Sequence, residues 1–184
     1  FNEVARQAIM KDPNWCEGYY LEKNVIPNQG LALARMLGHI TYLSDDSMKE
    51  KFGRDLQKQK LNFNFDVEFQ IESYLRYQGE KFGNSFDANT YLLMTKSLDY
   101  FDPVKDFGST LKDRLKKNNS KYLVISFTSD WRFPPSRSRE IMRILIENNK
   151  DVSYSEIDSS GGHDAFLMEN EDYFEIMRNF ISGD

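Results

Sequence analysis

Tyr122-Leu123-Val124-Ile125-Ser126-Phe127, followed at once by Thr128-Ser129-Asp130-Trp131, is the stretch on which the fold turns. A nearly continuous apolar run of this length, with β-branched residues at its centre, reads as a strand buried on both faces. Strands of that kind belong inside larger sheets. Downstream, Pro134-Pro135 suits the first turn of a helix running to about Asn149, Val152 to Ile157 predicts a second strand, and Ala165 to Ile181 a last helix. Two parallel strands cannot make a sheet with both faces covered. The expected architecture is therefore α/β, the C-terminal edge of a doubly wound fold whose earlier strands are missing.

Upstream of Lys116-Lys117-Asn118-Asn119 the pattern changes, and residues 1–118 read as helical almost throughout while 119–184 alternate strand and helix. Gln29 to Tyr42 holds Leu31, Ala34, Arg35, Gly38 and Tyr42 in helical register, and Ser44-Asp45-Asp46 offers caps for a short helix that stops at Gly53. Lys58 to Phe65 is polar and reads as loop. Asp66 to Phe82 predicts a long aromatic helix, and Asp87 caps the next one, Ala88 to Tyr100, which Asp102-Pro103 ends. The chain opens inside a helical pattern, with Val4, Ala8 and Ile9 in register before Asp12-Pro13, and this predicts a fragment.

Composition excludes several classes. In 184 residues, 40% are hydrophobic, 14% aromatic and 29% charged, so disorder and a disulfide scaffold are ruled out. With 24 Lys and Arg against 29 Asp and Glu the net charge is -5, which leaves no basic excess for nucleic acid or an anionic lipid surface. No window approaches the roughly 18 to 20 apolar residues of a membrane span. Cys16 is the only cysteine, so neither an intrachain disulfide nor a cysteine zinc site can form, which fits a reducing compartment and a cytoplasmic location. Two histidines without paired spacing give no metal motif, and Gly161-Gly162 alone makes no phosphate cradle.

Polar residues gather where the two strands end. Asp130 follows the first, and Ser159-Ser160-Gly161-Gly162-His163-Asp164 follows the second. Ligands of open α/β sheets bind at that edge, and an aspartate orienting a histidine is the pair that activates a hydroxyl or thiol nucleophile. Asp before His is also the chain order of α/β-hydrolases after their nucleophile. The bland alternative makes Asp130 a turn cap and His163 a structural loop residue, and spacing alone leaves both open. No serine has glycines at both flanking positions of a G-x-S-x-G turn, so the nucleophile is missing and the chain alone is expected to be inert. Arg35, His39 and Tyr42 can share a helix face, where Arg35 can clamp a carboxylate or make an interhelix salt bridge.

Longer strings carry a resemblance. Phe1-Asn2-Glu3-Val4-Ala5-Arg6-Gln7-Ala8-Ile9, Gly38-His39-Ile40-Thr41-Tyr42-Leu43-Ser44, Glu72-Ser73-Tyr74-Leu75-Arg76-Tyr77-Gln78-Gly79, Ser129-Asp130-Trp131-Arg132-Phe133-Pro134-Pro135 and Gly162-His163-Asp164-Ala165-Phe166-Leu167 together resemble homoserine O-acetyltransferases over essentially the whole chain. The resemblance implies an α/β-hydrolase fold in which residues 1–118 are a helical lid and 119–184 the last two strands and helices. It implies a cytosolic enzyme of methionine biosynthesis, a homodimer through lid helices, and no cofactor. Its substrates would be acetyl-CoA, the acyl donor, and L-homoserine, joined through an upstream serine by a ping-pong mechanism. In the implied site His163 is the general base and acid, Asp130 its orienter, Arg35 the holder of the substrate carboxylate, and Tyr42 and Asp164 lie near the homoserine. Members of the same fold family also transfer succinyl groups or acylate serine, so a homoserine O-succinyltransferase, an α/β-hydrolase or a helical dimerisation module without catalytic role are the other readings. An unpaired edge on the Tyr122–Phe127 strand is expected to seek a partner.

Overall fold

The structure, a computed structural model, describes residues 1–102, 105, 115 and 118–183. The segment where the sequence pattern ends the helical part, including Pro103 and Lys116-Lys117, lies mostly outside the described residues. Contacts divide the chain into two units, Phe1–Ile40 with Lys49–Phe101, and Thr41–Met48 with Asp102–Asp184.

The first unit is helical. α1 (Asn2–Met10) buries Ala5 and Ile9, and Asp12 then starts a 3-10 turn (Pro13–Gly18) by accepting the Asn14 N–H at 2.9 Å. Its other carboxylate oxygen takes the Gly30 N–H at 2.8 Å, which ties the turn to the start of α2 (Asn28–Tyr42). A Cβ on Gly30 would lie 2.6 Å from both the Ala8 carbonyl oxygen and the Ile9 Cα, so α1 and α2 touch there only because the residue is glycine. α3 (Asp45–Lys51) follows, and Gly53 takes a positive φ of 47° just past it. α4 (Gln70–Gly83) begins later than the sequence pattern suggests. The Glu72 carboxylate accepts the N–H groups of Glu68 and Phe69, both at 2.8 Å, and this closes the helix start at Phe69, while residues 66–69 stay outside the helix. Those N–H groups, Phe69 foremost, hold Glu72 below the usual carboxylate range.

α5 (Ala88–Tyr100) is capped by Asp87, which accepts the Thr90 N–H at 2.6 Å and also the hydroxyl of buried Tyr20. The unit's core joins Ala5, Ile9, Tyr20, Leu31, Ala34 and Ala88, with Trp15, Phe82 and Tyr91 packed around them. Arg6, buried on α1, pairs with Asp99 of α5 at 2.6 Å.

The second unit holds the sheet. Among the described residues it has two strands, β1 (Tyr122–Phe127) and β2 (Val152–Ile157), parallel from Tyr122 opposite Val152 to Phe127 opposite Ile157. α6 (Pro135–Glu147) connects them and packs on both. After β2 the chain makes a 3-10 turn (Gly162–Leu167), not yet the last helix. Asn170 accepts the Tyr173 N–H at 3.0 Å and so starts α7 (Glu171–Ser182) six residues later than the pattern placed it. Phe127, Ile157 and Ala165 form the local core with Ile125, Tyr173 and Ile176, the Phe127 and Tyr173 rings meeting edge-to-face at 5.5 Å. Among the described residues no helix is long and apolar enough to cross a membrane, and no group of His, Cys, Asp or Glu is arranged to hold a metal ion.

Candidate active site

Asp130 sits in the turn that leaves the C-terminal end of β1, 8% exposed. Oδ1 accepts the backbone N–H of Arg132 at 3.0 Å and of Phe133 at 2.8 Å, so one side of the carboxylate is fixed by its own turn. Oδ2 is left facing outward from that turn. There it meets Nδ1 of His163 at 3.0 Å. A carboxylate oxygen only accepts, so Nδ1 carries the hydrogen and Nε2 is the nitrogen left to act as a base.

The loop carrying His163 is held by the end of β1. Thr128 Oγ1 donates to Asp158 Oδ1 at 2.7 Å and accepts the Ser159 N–H at 3.1 Å, and Ser129 Oγ accepts the Gly162 N–H at 2.9 Å. Hydroxyls of β1's last turn thus satisfy a loop that would otherwise carry unpaired backbone groups. Residues 41–48 grip the same loop: Ser44 Oγ donates to the Ser160 carbonyl, and Ser47 Oγ donates to it at 2.6 Å. Gly162 has a φ of 69°, and a Cβ there would lie 2.5 Å from the Ser44 nitrogen and 2.6 Å from the Tyr42 carbonyl oxygen, so no other residue fits without displacing the histidine next to it.

The sequence-predicted residues fall into two groups. Asp130 and His163 are brought together, and Tyr42 joins them, its ring 5.7 Å from the imidazole. Asp164 follows His163 at the start of the 3-10 turn, half-buried. Arg35 belongs to the first unit, with its guanidinium 5.2 Å from the centre of the Phe82 ring. His39, on the same helix, is buried and hydrogen-bonded through Nδ1 to the Tyr74 hydroxyl at 2.9 Å, which is a structural pairing.

Sequence reasoning did not single out the aromatic collar or the cation. Phe133 and Phe166 stand with their ring centres 5.1 and 5.8 Å from the His163 ring. The Arg132 guanidinium lies 5.2 Å from the Tyr42 ring centre and 5.8 Å from that of Phe133, and donates from Nη1 to Thr41 Oγ1 at 2.9 Å. The available signal was their place in the chain, Arg132 and Phe133 just after Asp130 and Phe166 just after His163. Beside His163 and Asp130 opens a cavity of about 520 Å³, walled by Phe127 of β1 and Tyr173, Met177 and Phe180 of α7. A base with an oriented tautomer beside a partly apolar cavity can take a proton from a hydroxyl and return it to a leaving group.

No family model matches the chain. It is 60% identical over 98% of its length to a homoserine O-succinyltransferase from Hydrogenovibrio crunogenus and 57% identical over 100% to one from Acinetobacter baumannii. The chain spans about half the length of these curated relatives, 48% in each case. Among solved structures it is similar to homoserine O-acetyltransferase from Bacillus anthracis, with a TM-score of 0.77, 22% identity and coverage of 89% of this chain and 43% of that one. The structure of esterase E22 matches with a TM-score of 0.80 at 22% identity, covering 97% of this chain and 49% of that one. The solved structures show an α/β-hydrolase fold, and the sequence is similar over its whole length to about half of the homoserine O-succinyltransferases it matches.

Proposed function

We propose that this chain is the part of a homoserine O-succinyltransferase that supplies its acid–base pair. The observation that carries the reading is the Asp130–His163 pair, preformed at 3.0 Å where two parallel strands end. In the proposed reaction His163 Nε2 takes the proton of a serine hydroxyl from the part of the enzyme this chain does not cover, and the serine oxygen attacks the thioester carbonyl of succinyl-CoA. The CoA sulfur leaves with that proton. The homoserine hydroxyl then gives its proton to Nε2 and attacks the acyl-serine, and the serine oxygen departs with the proton, so base and nucleophile are restored. Arg35 holds the homoserine carboxylate in this reading, Asp164 its ammonium group, and Tyr42 walls the acceptor site.

Two things favour succinyl over the acetyl donor expected from the resemblance. Curated relatives at 57 and 60% identity carry the succinyltransferase name. A succinyl group also ends in a second carboxylate that an acetyl group lacks, and the Arg132 guanidinium stands against the aromatic rings that border His163. A planar guanidinium beside a partly apolar wall is a fitting receptor for it. Homodimerisation through the helical unit is part of the proposal, supported by the exposed Leu93, Met94, Leu98 and Phe101 of α5 and its end.

The test joins this chain to the N-terminal half of the Acinetobacter baumannii relative and measures CoA release. The expected result is release from succinyl-CoA that depends on homoserine, with O-succinylhomoserine formed, and none from the chain alone. Release that proceeds equally without homoserine would make the protein a hydrolase and end the proposal. Replacing Arg132 by Leu in the joined protein is expected to lower kcat/KM for succinyl-CoA by about 10- to 100-fold, the worth of a charged hydrogen-bonded pair, and to spare acetyl-CoA.

A further inference from the structure

We propose that Thr41 is a positioning residue that selects the acyl donor by fixing the direction of Arg132. The inference rests on the succinyl reading and deepens it. Arginine has a long side chain with many rotamers, and a specificity charge on it has value only when held in one of them. Among its contacts, one bond fixes the backbone of this arginine and another meets its guanidinium. Its backbone N–H is bound to Asp130 Oδ1 at 3.0 Å, and its Nη1 donates to Thr41 Oγ1 at 2.9 Å.

Thr41 is suited to that task by its own placement. It is 1% exposed, among the most deeply buried side chains, near the C-terminal end of α2. A hydroxyl so buried has no water to bargain with, and the charged donor it meets makes the bond stronger than a neutral one. The tie also presses the guanidinium against the Tyr42 ring next in sequence, and that ring borders His163. The backbone of Arg132 and the imidazole of His163 therefore share one anchor, Asp130, while the guanidinium takes its bearing from a different segment of the chain. Loss of the Thr41 bond removes one directed hold on the charge without touching the base. It changes which acyl group is preferred and leaves the proton transfers alone.

The experiment uses the joined, full-length protein and compares kcat/KM for succinyl-CoA with that for acetyl-CoA. Thr41→Val keeps the volume and removes the hydroxyl. It is expected to lower the succinyl value about tenfold, with the acetyl value unchanged within about twofold and the pH profile unmoved. Thr41→Ser, which restores the oxygen, is expected to recover most of the succinyl value. Equal losses for both donors would assign Thr41 a packing role only and overturn the inference. If Thr41→Val leaves the ratio unchanged while Arg132→Leu collapses it, Arg132 reads the acyl group unaided and this inference alone fails. If neither substitution moves the ratio, the succinyl reading of Arg132 fails with it. Should Thr41→Val not fold, Thr41→Cys, near in size and a weak acceptor, gives the same comparison.

Discussion

Asp130 is one carboxylate with two employments, and its substitution separates them. In Asp130→Asn the carbonyl oxygen takes the place of Oδ1, because the N–H groups of Arg132 and Phe133 need an acceptor there. The amide NH₂ then faces His163 Nδ1, forces it to accept, and puts the hydrogen on Nε2, the wrong nitrogen for a base. In the joined enzyme kcat is expected to fall by about 10⁴-fold with little change in the thermal midpoint, since the turn is intact. A loss below about tenfold would deny His163 its role as base. Much of this pair was legible in the sequence, because both residues stand directly after strand patterns and order places them on one sheet edge. Thr41 and Arg132 were not legible as partners: 91 residues separate them, and no periodicity links a helix end to a strand-end turn. The resemblance gives Tyr42 a role and its neighbour Thr41 none for that reason.

Helix starts are where pattern and structure disagree. Aromatic periodicity from 66 to 82 suggests one long helix, yet Glu72 captures the backbone at Phe69 and delays it to Gln70. Likewise the apolar spacing from Ala165 runs through a 3-10 turn before Asn170 opens α7. Local carboxylates and amides decide such boundaries, and periodicity is blind to them. At the α5 start the reading of Asp87 as a cap holds, with a partner the sequence could not supply. The Tyr20 hydroxyl pulls the Asp87 carboxyl below its ordinary value, while burial foremost, and then Asp87, raises that of Tyr20. Asp87→Ala removes the cap and strips a buried hydroxyl of its acceptor, and should cost about 1–3 kcal/mol by urea denaturation at neutral pH. A depressed folded value means that the stabilisation is complete above the unfolded aspartate value of about 3.9 and vanishes as pH falls through the folded one. Wild type and variant should therefore converge in acid, and a gap that stays constant to pH 2 would show that the charge is not involved.

At the scale of the molecule the two strands are unlike. β2 carries Val152, Tyr154 and Glu156 on one face and Ser153, Ser155 and Ile157 on the other, so polar residues stand on both, whereas β1 is largely apolar on both faces and, among the described residues, pairs with β2 alone. The chain by itself is expected to self-associate at micromolar concentration in light scattering, and addition of the N-terminal half of a relative should reverse this. A monodisperse monomer that ignores that half would mean the β1 edge needs no cover. Sequence patterning made this edge visible, since a doubly apolar strand announces neighbours. The fork at Asp130 has a consequence for how such an enzyme comes together. Because its turn and the hydroxyls of Thr128 and Ser129 set the imidazole within this chain, His163 has its bearing before any proposed nucleophile arrives. Two separately synthesised halves would then recover activity at a rate set by their encounter, first order in each, with no slow unimolecular phase for the ordering of the base.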